Sequence, residues 1–175
     1  VVMPLGEHCF QSGEAASRAF IEIPEIQQDL FRAVSEVNPN VVAVIFSGRP
    51  LDLRVISERS RAVLSVWMPG MEGGRAIIDV LTGTRTPSGK LPMSFPYCVG
   101  QVPVHYDSLM TGRPYRKGKP ERYVSRYQDI PADPLYSFGY GLTYTSMELS
   151  EVHLSKDELM PGEEIEASVT IKNTG

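Results

Sequence analysis

Two predominantly apolar runs constrain the fold of this chain more than any other feature. They are Val41–Phe46 and Ala62–Trp67, both rich in β-branched side chains. A run without polar alternation is typical of a parallel strand that is covered on both faces. Helical patterns precede the first run and follow the second. The order predicts an α/β fold, a layered sandwich domain with a mainly parallel sheet.

The helix before the first run is predicted from Glu25 to about Glu36. Pro24 and the acidic residues beside it suit a helix N-terminus, and Asn38-Pro39-Asn40 ends the pattern. Its predicted core-facing residues are Ile26, Leu30, Ala33, Val34 and Val37. A later helix is predicted around residues 76–81, closed by Gly83, and residues 51–60 leave room for a short one.

Residues 84–145 contain many Pro, Gly and Tyr and little periodicity. A stretch of this length inside a domain is expected to wrap around or dock on the rest. Between Arg113 and Arg126, basic residues alternate with tyrosines, which is also found in nucleic-acid platforms. The basic residues are Arg113, Arg116, Lys117, Lys119, Arg122 and Arg126. The net charge of −4 favours a polar surface loop and no nucleic-acid partner.

Polar and apolar residues alternate in two segments near the end, Met147–Leu154 and Ile165–Lys172. The Pro161-Gly162 pair lies between them at a predicted turn. Such a pattern is typical of the first strands of an antiparallel β-sandwich.

Two cysteines, Cys9 and Cys98, match no metal spacing, and either a disulfide or two free thiols fits them. No apolar run approaches the ~20 residues of a membrane span, so no membrane partner is expected. The chain opens without Met and stops directly after a strand pattern, and we expect both ends to continue in a longer protein.

The segment Ser12–Arg18 offers one carboxylate, Glu14, among small residues in a loop. A carboxyl group with open space around it is a candidate proton donor, although a solvated surface acid is the more common case. Glu7, at a strand end, is the rival acid or a supporting residue. Arg49 follows a strand and is expected to pair with an acid, while Trp67 is expected to pack in the core.

Several motifs occur together in a fixed order. They are Gly6-Glu7, Ser12-Gly13-Glu14 through Arg18, Ser47-Gly48-Arg49-Pro50-Leu51, Trp67 through Gly74, Pro87 through Pro92, Phe138 through Thr145, and Asn173-Thr174-Gly175. As a set, this order and spacing resembles the C-terminal part of a family-three glycoside hydrolase of the bacterial periplasmic β-glucosidase type.

The resemblance implies three regions. Residues 1–134 would be the C-terminal α/β sandwich domain, truncated at its N-terminus, and residues 135–146 a packed linker. Residues 147–175 would begin a fibronectin-III-like β-sandwich. An N-terminal (β/α)-barrel domain, absent from this chain, would be its partner, and a homodimer is left open.

The resemblance also implies a retaining β-glucosidase that hydrolyses terminal non-reducing β-D-glucosyl residues without a metal or organic cofactor. Glu14 would be the acid/base, and the nucleophilic aspartate would lie on the barrel. We therefore expect an exposed Glu14 and an inactive isolated chain. The alternative is a non-catalytic carbohydrate-binding or scaffolding module. A periplasmic or secreted location is implied, with the cytoplasm left open.

Overall fold

The computed structural model describes residues 1–110, 112–118 and 122–175. The chain divides into two compact units. The first comprises residues 1–77 and 89–141, and the second comprises residues 78–88 and 142–175.

The first unit contains a parallel sheet of three strands in the order β1-β2-β3. These strands are β1 (Val2–Gly6), β2 (Val42–Phe46) and β3 (Ala62–Ser65). Helix α1 (Glu25–Val37) connects β1 to β2, α2 (Arg54–Arg59) connects β2 to β3, and α3 (Gly73–Leu81) follows. The predicted parallel α/β sheet is confirmed, and β2 is apolar throughout because it is the central strand.

The core lies between this sheet and the two connecting helices. Alternate residues of β1 and β2, such as Leu5 and Ile45, point toward it, and Phe31 of α1 is completely buried against them. Ile56 of α2 and Phe95 of the long segment complete the cluster. Burial of several large apolar side chains, each contributing about 2 kcal/mol, is the main stabilising contribution here.

Helix α1 has nearly the predicted bounds, but the predicted buried face is wrong. Ile26, Leu30 and Val37 are 78%, 57% and 84% exposed, and Ala33 is exposed as well. Val34 is half-buried and packs against the core as predicted, but Phe31, which was not predicted to do so, is the completely buried residue of the helix. The helix is turned by roughly 100° from the expected orientation, one residue's rotation. The largest side chain of the helix, Phe31, therefore faces the sheet.

The long segment docks on the core, as expected from its composition. Within its described residues, the 3₁₀ turn Val99–Gln101 is the one helix. Phe95 forms an antiparallel bridge with Tyr136, whose hydroxyl meets Ser57 Oγ at 2.5 Å. Of the basic residues predicted there, Lys119 lies outside the described residues.

Trp67 packs in the core, as expected, although β3 ends before it at Ser65. Its φ angle is +53°, and its ring lies 5.7 Å from that of Phe95. The left-handed backbone at Trp67 ends the extended conformation before the expected strand end.

The second unit contains two antiparallel strand pairs. Strands β4 (Met147–Leu149) and β7 (Ile171–Asn173) form one pair, and β5 (His153–Leu154) and β6 (Ala167–Ser168) form the other. The two predicted alternating segments thus pair as expected, but each is broken into two short strands. Their assignment to a fibronectin-III-like sandwich stays a prediction, as do the domain boundaries.

Both cysteines are free thiols. Among the described residues, no helix combines the length and apolar character needed to cross a membrane.

Candidate active site

The carboxyl ends of β1 and β2 lie side by side and bring Glu7 next to Ser47–Arg49. The amide of Glu7 donates to the carbonyl of Phe46 at 2.8 Å, which extends the strand pairing by one residue. In open parallel sheets, this edge is where functional residues collect. The candidate site is therefore built where two hydrogen-bonded strands of the sheet end.

Glu7 is buried within an ion-pair cluster. Its side chain has no exposed surface, and its carboxylate lies 2.7 Å from Arg18 Nη1 and 3.2 Å from Arg49 Nε. A buried carboxylate requires such partners, because an unpaired buried charge is strongly destabilising. Glu7 is therefore engaged inside the protein and has no surface from which to reach a substrate.

Arg49 connects this cluster to the loop that follows β1. Its Nη2 donates to the carbonyl oxygens of Gln11 and Ala16, the latter at 2.8 Å. Glu14 lies between these two residues in the sequence. A single guanidinium thus holds both ends of the segment Gln11–Ala16, which we call the acid loop.

The acid loop has two residues with left-handed backbone. Gly13 has φ +102° and Ala15 has φ +58°, on either side of Glu14. The amide of Ala16 reaches the carbonyl of Gly13 at 3.3 Å. This double turn lifts Glu14 to the tip of the loop.

Glu14 is exposed, as predicted. Within the described parts of the chain, its carboxylate has no hydrogen-bond or ion-pair partner. The two candidate acids thus have opposite surroundings, since Glu7 is buried and paired while Glu14 is open to solvent. Of the two, only Glu14 can meet a molecule that approaches from outside.

Two residues of this arrangement were not assigned roles from the sequence. Arg18 was noted only as a neighbour of Glu14, and its second contact is the carbonyl of Glu22 at 3.2 Å. Gln27 of α1 bonds both backbone groups of Gly6, at 2.8 and 3.0 Å. The position of Arg18, in the loop after an acidic strand end, could have indicated its ion pair with Glu7. Nothing in the sequence indicates the contact of Gln27 with Gly6.

A cavity of about 460 Å³ opens beside Arg49 in the first unit. Its walls are mostly apolar, and its polar members include His105 and Asp107. Tyr106 also lines it and stacks on Phe138 with ring centroids 4.0 Å apart. Within the described residues, no cluster of His, Cys, Asp and Glu is arranged to hold a metal ion.

Comparison with known proteins relates this geometry to one family. Over all 175 residues, the chain is 47% identical to a periplasmic β-glucosidase of Salmonella typhimurium, of which it covers 23%. It is 34% identical, over its full length, to a β-xylosidase of Formosa agariphila, of which it again covers 23%.

Solved structures give the same relationship. A β-glucosidase of Listeria innocua in complex with isofagomine superposes with a TM-score of 0.94 at 48% identity. The match covers 99% of this chain and 24% of the Listeria chain. Other crystals of the Listeria enzyme contain glucose, or laminaribiose bound to a mutant.

The chain thus spans about a quarter of the length of these relatives. Residues 1–144 match the family described as the glycosyl hydrolase family 3 C-terminal domain. Most of the chain is included in this match, and the chain therefore belongs to that family.

Proposed function

We propose that this chain supplies the acid/base residue of a retaining β-glucosidase, and that this residue is Glu14. The observation that carries the proposal is the contrast between the two acids at the sheet edge. Glu14 is an exposed carboxylate at the tip of an anchored loop, whereas Glu7 is buried and ion-paired with two arginines. The names of the relatives, β-glucosidases and β-xylosidases, support glycoside hydrolysis as the reaction class.

In the proposed reaction, two carboxyl groups lie on either side of the glycosidic bond, roughly 5 Å apart. The protonated Glu14 gives its proton to the glycosidic oxygen as the bond from that oxygen to the anomeric carbon breaks. An aspartate carboxylate from the barrel domain forms a new bond to the anomeric carbon. Glu14, now ionised, takes a proton from water, whose oxygen displaces the aspartate and releases the sugar with its original configuration.

The aspartate lies, in this proposal, on the barrel domain that the chain does not contain. The isolated chain is therefore expected to be inactive, because both steps need both carboxyl groups. Its exposed Glu14 fits a residue that is covered only when the second half of the site and the sugar are present. Burial and a neighbouring carboxylate would then favour the protonated acid.

The decisive experiment is Glu14→Gln in the full-length protein. Proton donation by a positioned acid contributes about 10² to 10⁴ in rate. We expect kcat/KM to fall by about that factor on alkyl β-glucosides, whose leaving groups need a proton. On 2,4-dinitrophenyl β-glucoside, whose leaving group does not, kcat/KM should change little, and azide should partly restore turnover.

The matched control is Glu25→Gln, which removes another exposed carboxylate from the same unit. It should leave kcat/KM unchanged on both substrates. Normal activity of Glu14→Gln on alkyl glucosides would refute the assignment, and the same leaving-group pattern in Glu7→Gln alone would transfer the role to Glu7. Glucan binding by the isolated chain, with no effect of Glu14→Gln, would favour the non-catalytic module.

We propose a terminal non-reducing β-D-glucosyl residue as the substrate group, because the relatives at 47% and 48% identity are β-glucosidases. Comparison of aryl β-glucoside with aryl β-xyloside hydrolysis by the full-length protein tests this choice, and a higher kcat/KM on the xyloside would reverse it. The name of the Salmonella relative supports a periplasmic location. A homodimer and the fibronectin-III-like identity of residues 147–175 stay predictions.

A further inference from the structure

We propose that Arg49 is a positioning residue that sets the location of Glu14 by holding the acid loop at both ends. This inference rests on the proposed role of Glu14 and extends it to a residue that bonds the loop carrying Glu14. Arg49 is only partly exposed, and its Nε and Nη2 donate to groups of the protein.

The first argument is the span of the contact. Nη2 of Arg49 donates to two carbonyl oxygens, of Gln11 and of Ala16. The four residues between them include Glu14. Because both anchors belong to one planar guanidinium, movement of either end of the loop breaks a hydrogen bond of the same group.

The second argument is that the acid loop does little to hold itself. Ala15 has a left-handed φ of +58°, a conformation that L-residues with a Cβ rarely adopt. A single backbone hydrogen bond closes the turn, from Ala16 to Gly13 at 3.3 Å. A strained turn persists only where its surroundings hold it, and Arg49 supplies such support through two hydrogen bonds to the loop.

The third argument is that Arg49 is itself anchored to the sheet. Its Nε lies 3.2 and 3.4 Å from the two carboxylate oxygens of Glu7. Glu7 is fixed in turn by Arg18 at 2.7 Å and follows Gly6, whose backbone is bonded by Gln27. The end of β1 is thereby linked to the acid loop through two side chains.

The acid loop also lies directly on the turn that carries Arg49. A Cβ built on Gly48 would fall 2.3 Å from Oγ of Ser12. Only glycine at this position permits such a close approach of the two segments. The acid loop thus packs against the backbone of Gly48 and is hydrogen-bonded by the side chain of Arg49.

The test is Arg49→Lys in the full-length protein. Lysine keeps the positive charge, but its single nitrogen cannot bond the Glu7 carboxylate and both carbonyls in the geometry of a guanidinium. We expect kcat/KM on alkyl β-glucosides to fall by about tenfold or more, since misplacement of an acid weakens proton transfer. On 2,4-dinitrophenyl β-glucoside it should stay within about threefold of the parent, because proton donation is not needed there.

The control is Arg54→Lys, which alters another arginine ion-paired to a carboxylate, Asp52, at 2.7 Å. It should leave both substrates unaffected. If Arg49→Lys does not fold, Glu7→Gln serves in its place, since it keeps the shape and one acceptor oxygen. It should show the same selective loss, but smaller.

Equal losses on both substrates, or no loss on either, in the folded variant would overturn the inference, because a merely structural residue affects both reactions alike. Failure of both variants to fold would overturn it in favour of a purely structural role. If Glu14→Gln shows the leaving-group pattern and Arg49→Lys does not, the inference fails while the proposed function stands. If Glu14→Gln lacks the pattern, the proposed function itself fails.

Discussion

Gly6 is the residue that lets β1 approach β2 where the candidate site begins. Its φ is +144°, and a Cβ at this position would lie 1.8 Å from the carbonyl oxygen of Phe46. No side chain fits there without displacing the backbone of β2. The residue that follows, Glu7, depends on this approach for its buried position.

We therefore expect Gly6→Ala to destabilise the protein by about 3 kcal/mol or more, from backbone strain and overpacking together. Denaturant unfolding followed by the signal of Trp67, which packs in the same core, measures the change. Gly74→Ala is the control, since that helical glycine has open space around it and no left-handed φ. It should be neutral or stabilising by up to about 1 kcal/mol. Equal stability of both variants would contradict the conclusion that a side chain at position 6 collides with the backbone of β2.

Glu7 and Glu14 show how far residue-level prediction reached. Both were identified from the sequence as candidate acids, and the preference for Glu14 came from motif order. Their chemical difference, however, depends on Arg18 and Arg49, which approach Glu7 from 11 and 42 positions along the chain. Local sequence does not encode these contacts, because they form only when the loop, β1 and the segment after β2 meet.

At the scale of elements, the positions of helices and strands were easier to predict than their orientations. The bounds of α1 follow from Pro24 and from the Asn-Pro-Asn segment, which are local signals. Its orientation was predicted wrongly because Ile26, Leu30, Ala33 and Val37 form a regular stripe at helical spacing. Phe31, with Gln27 bonded to Gly6, faces the sheet instead, and only packing decides between two such faces.

The turn between the two alternating segments is a second element with a local cause. Pro161 and Gly162 occupy its centre, Gly162 has φ +88°, and the amide of Glu163 bonds the carbonyl of Met160 at 3.0 Å. This is the sequence signature of a type II turn. The Glu163 carboxylate returns to the amide of Met160 at 3.0 Å and accepts from Lys156 at 3.1 Å.

The hydrogen bond from Met160, and next the one from Lys156, hold the pKa of Glu163 below its ordinary value of 4.5. A depressed pKa in the folded state stabilises the turn above pH 4.5, and this stabilisation is lost as the pH falls through the lower folded value. An NMR titration of the Glu163 carboxyl carbon should give a midpoint below 4.5, raised by Lys156→Met.

Lys172→Met is the control for this titration, because that lysine makes no contact with Glu163 in the described part of the chain. A midpoint of Glu163 that does not respond to Lys156→Met would show that the ion pair is absent in solution. A midpoint at or above 4.5 would contradict the hydrogen bonds from Met160 and Lys156 to the Glu163 carboxylate.

At the scale of the whole molecule, burial is divided unequally between the two units. All residues of the apolar core cluster lie in the first unit, around β2. The strands of the second unit, β4 to β7, are exposed along their whole length. Two-stranded pairs without a buried face are at best marginally stable by themselves.

Hydrogen exchange of the 175-residue chain should therefore separate the two units. Amides of β2 should exchange slowest, because they open only when the core opens, and amides of β4 to β7 should exchange much faster. Mass spectrometry after limited labelling checks this, with the peptide covering Ala43–Ile45 as the internal reference. Equal protection of both sets would contradict the marginal stability expected for the second unit.

The sequence by itself determined the kinds of element, their order, the parallel sheet and the family. These depend on apolar patterning, on Pro and Gly signals and on the order of motifs, all of which are present in the sequence before the chain packs. Tertiary structure alone decided which face of α1 is buried, which arginines pair with Glu7, and which arginine holds the acid loop. Those outcomes depend on contacts between residues far apart in sequence, whose energies exist only after the chain has packed.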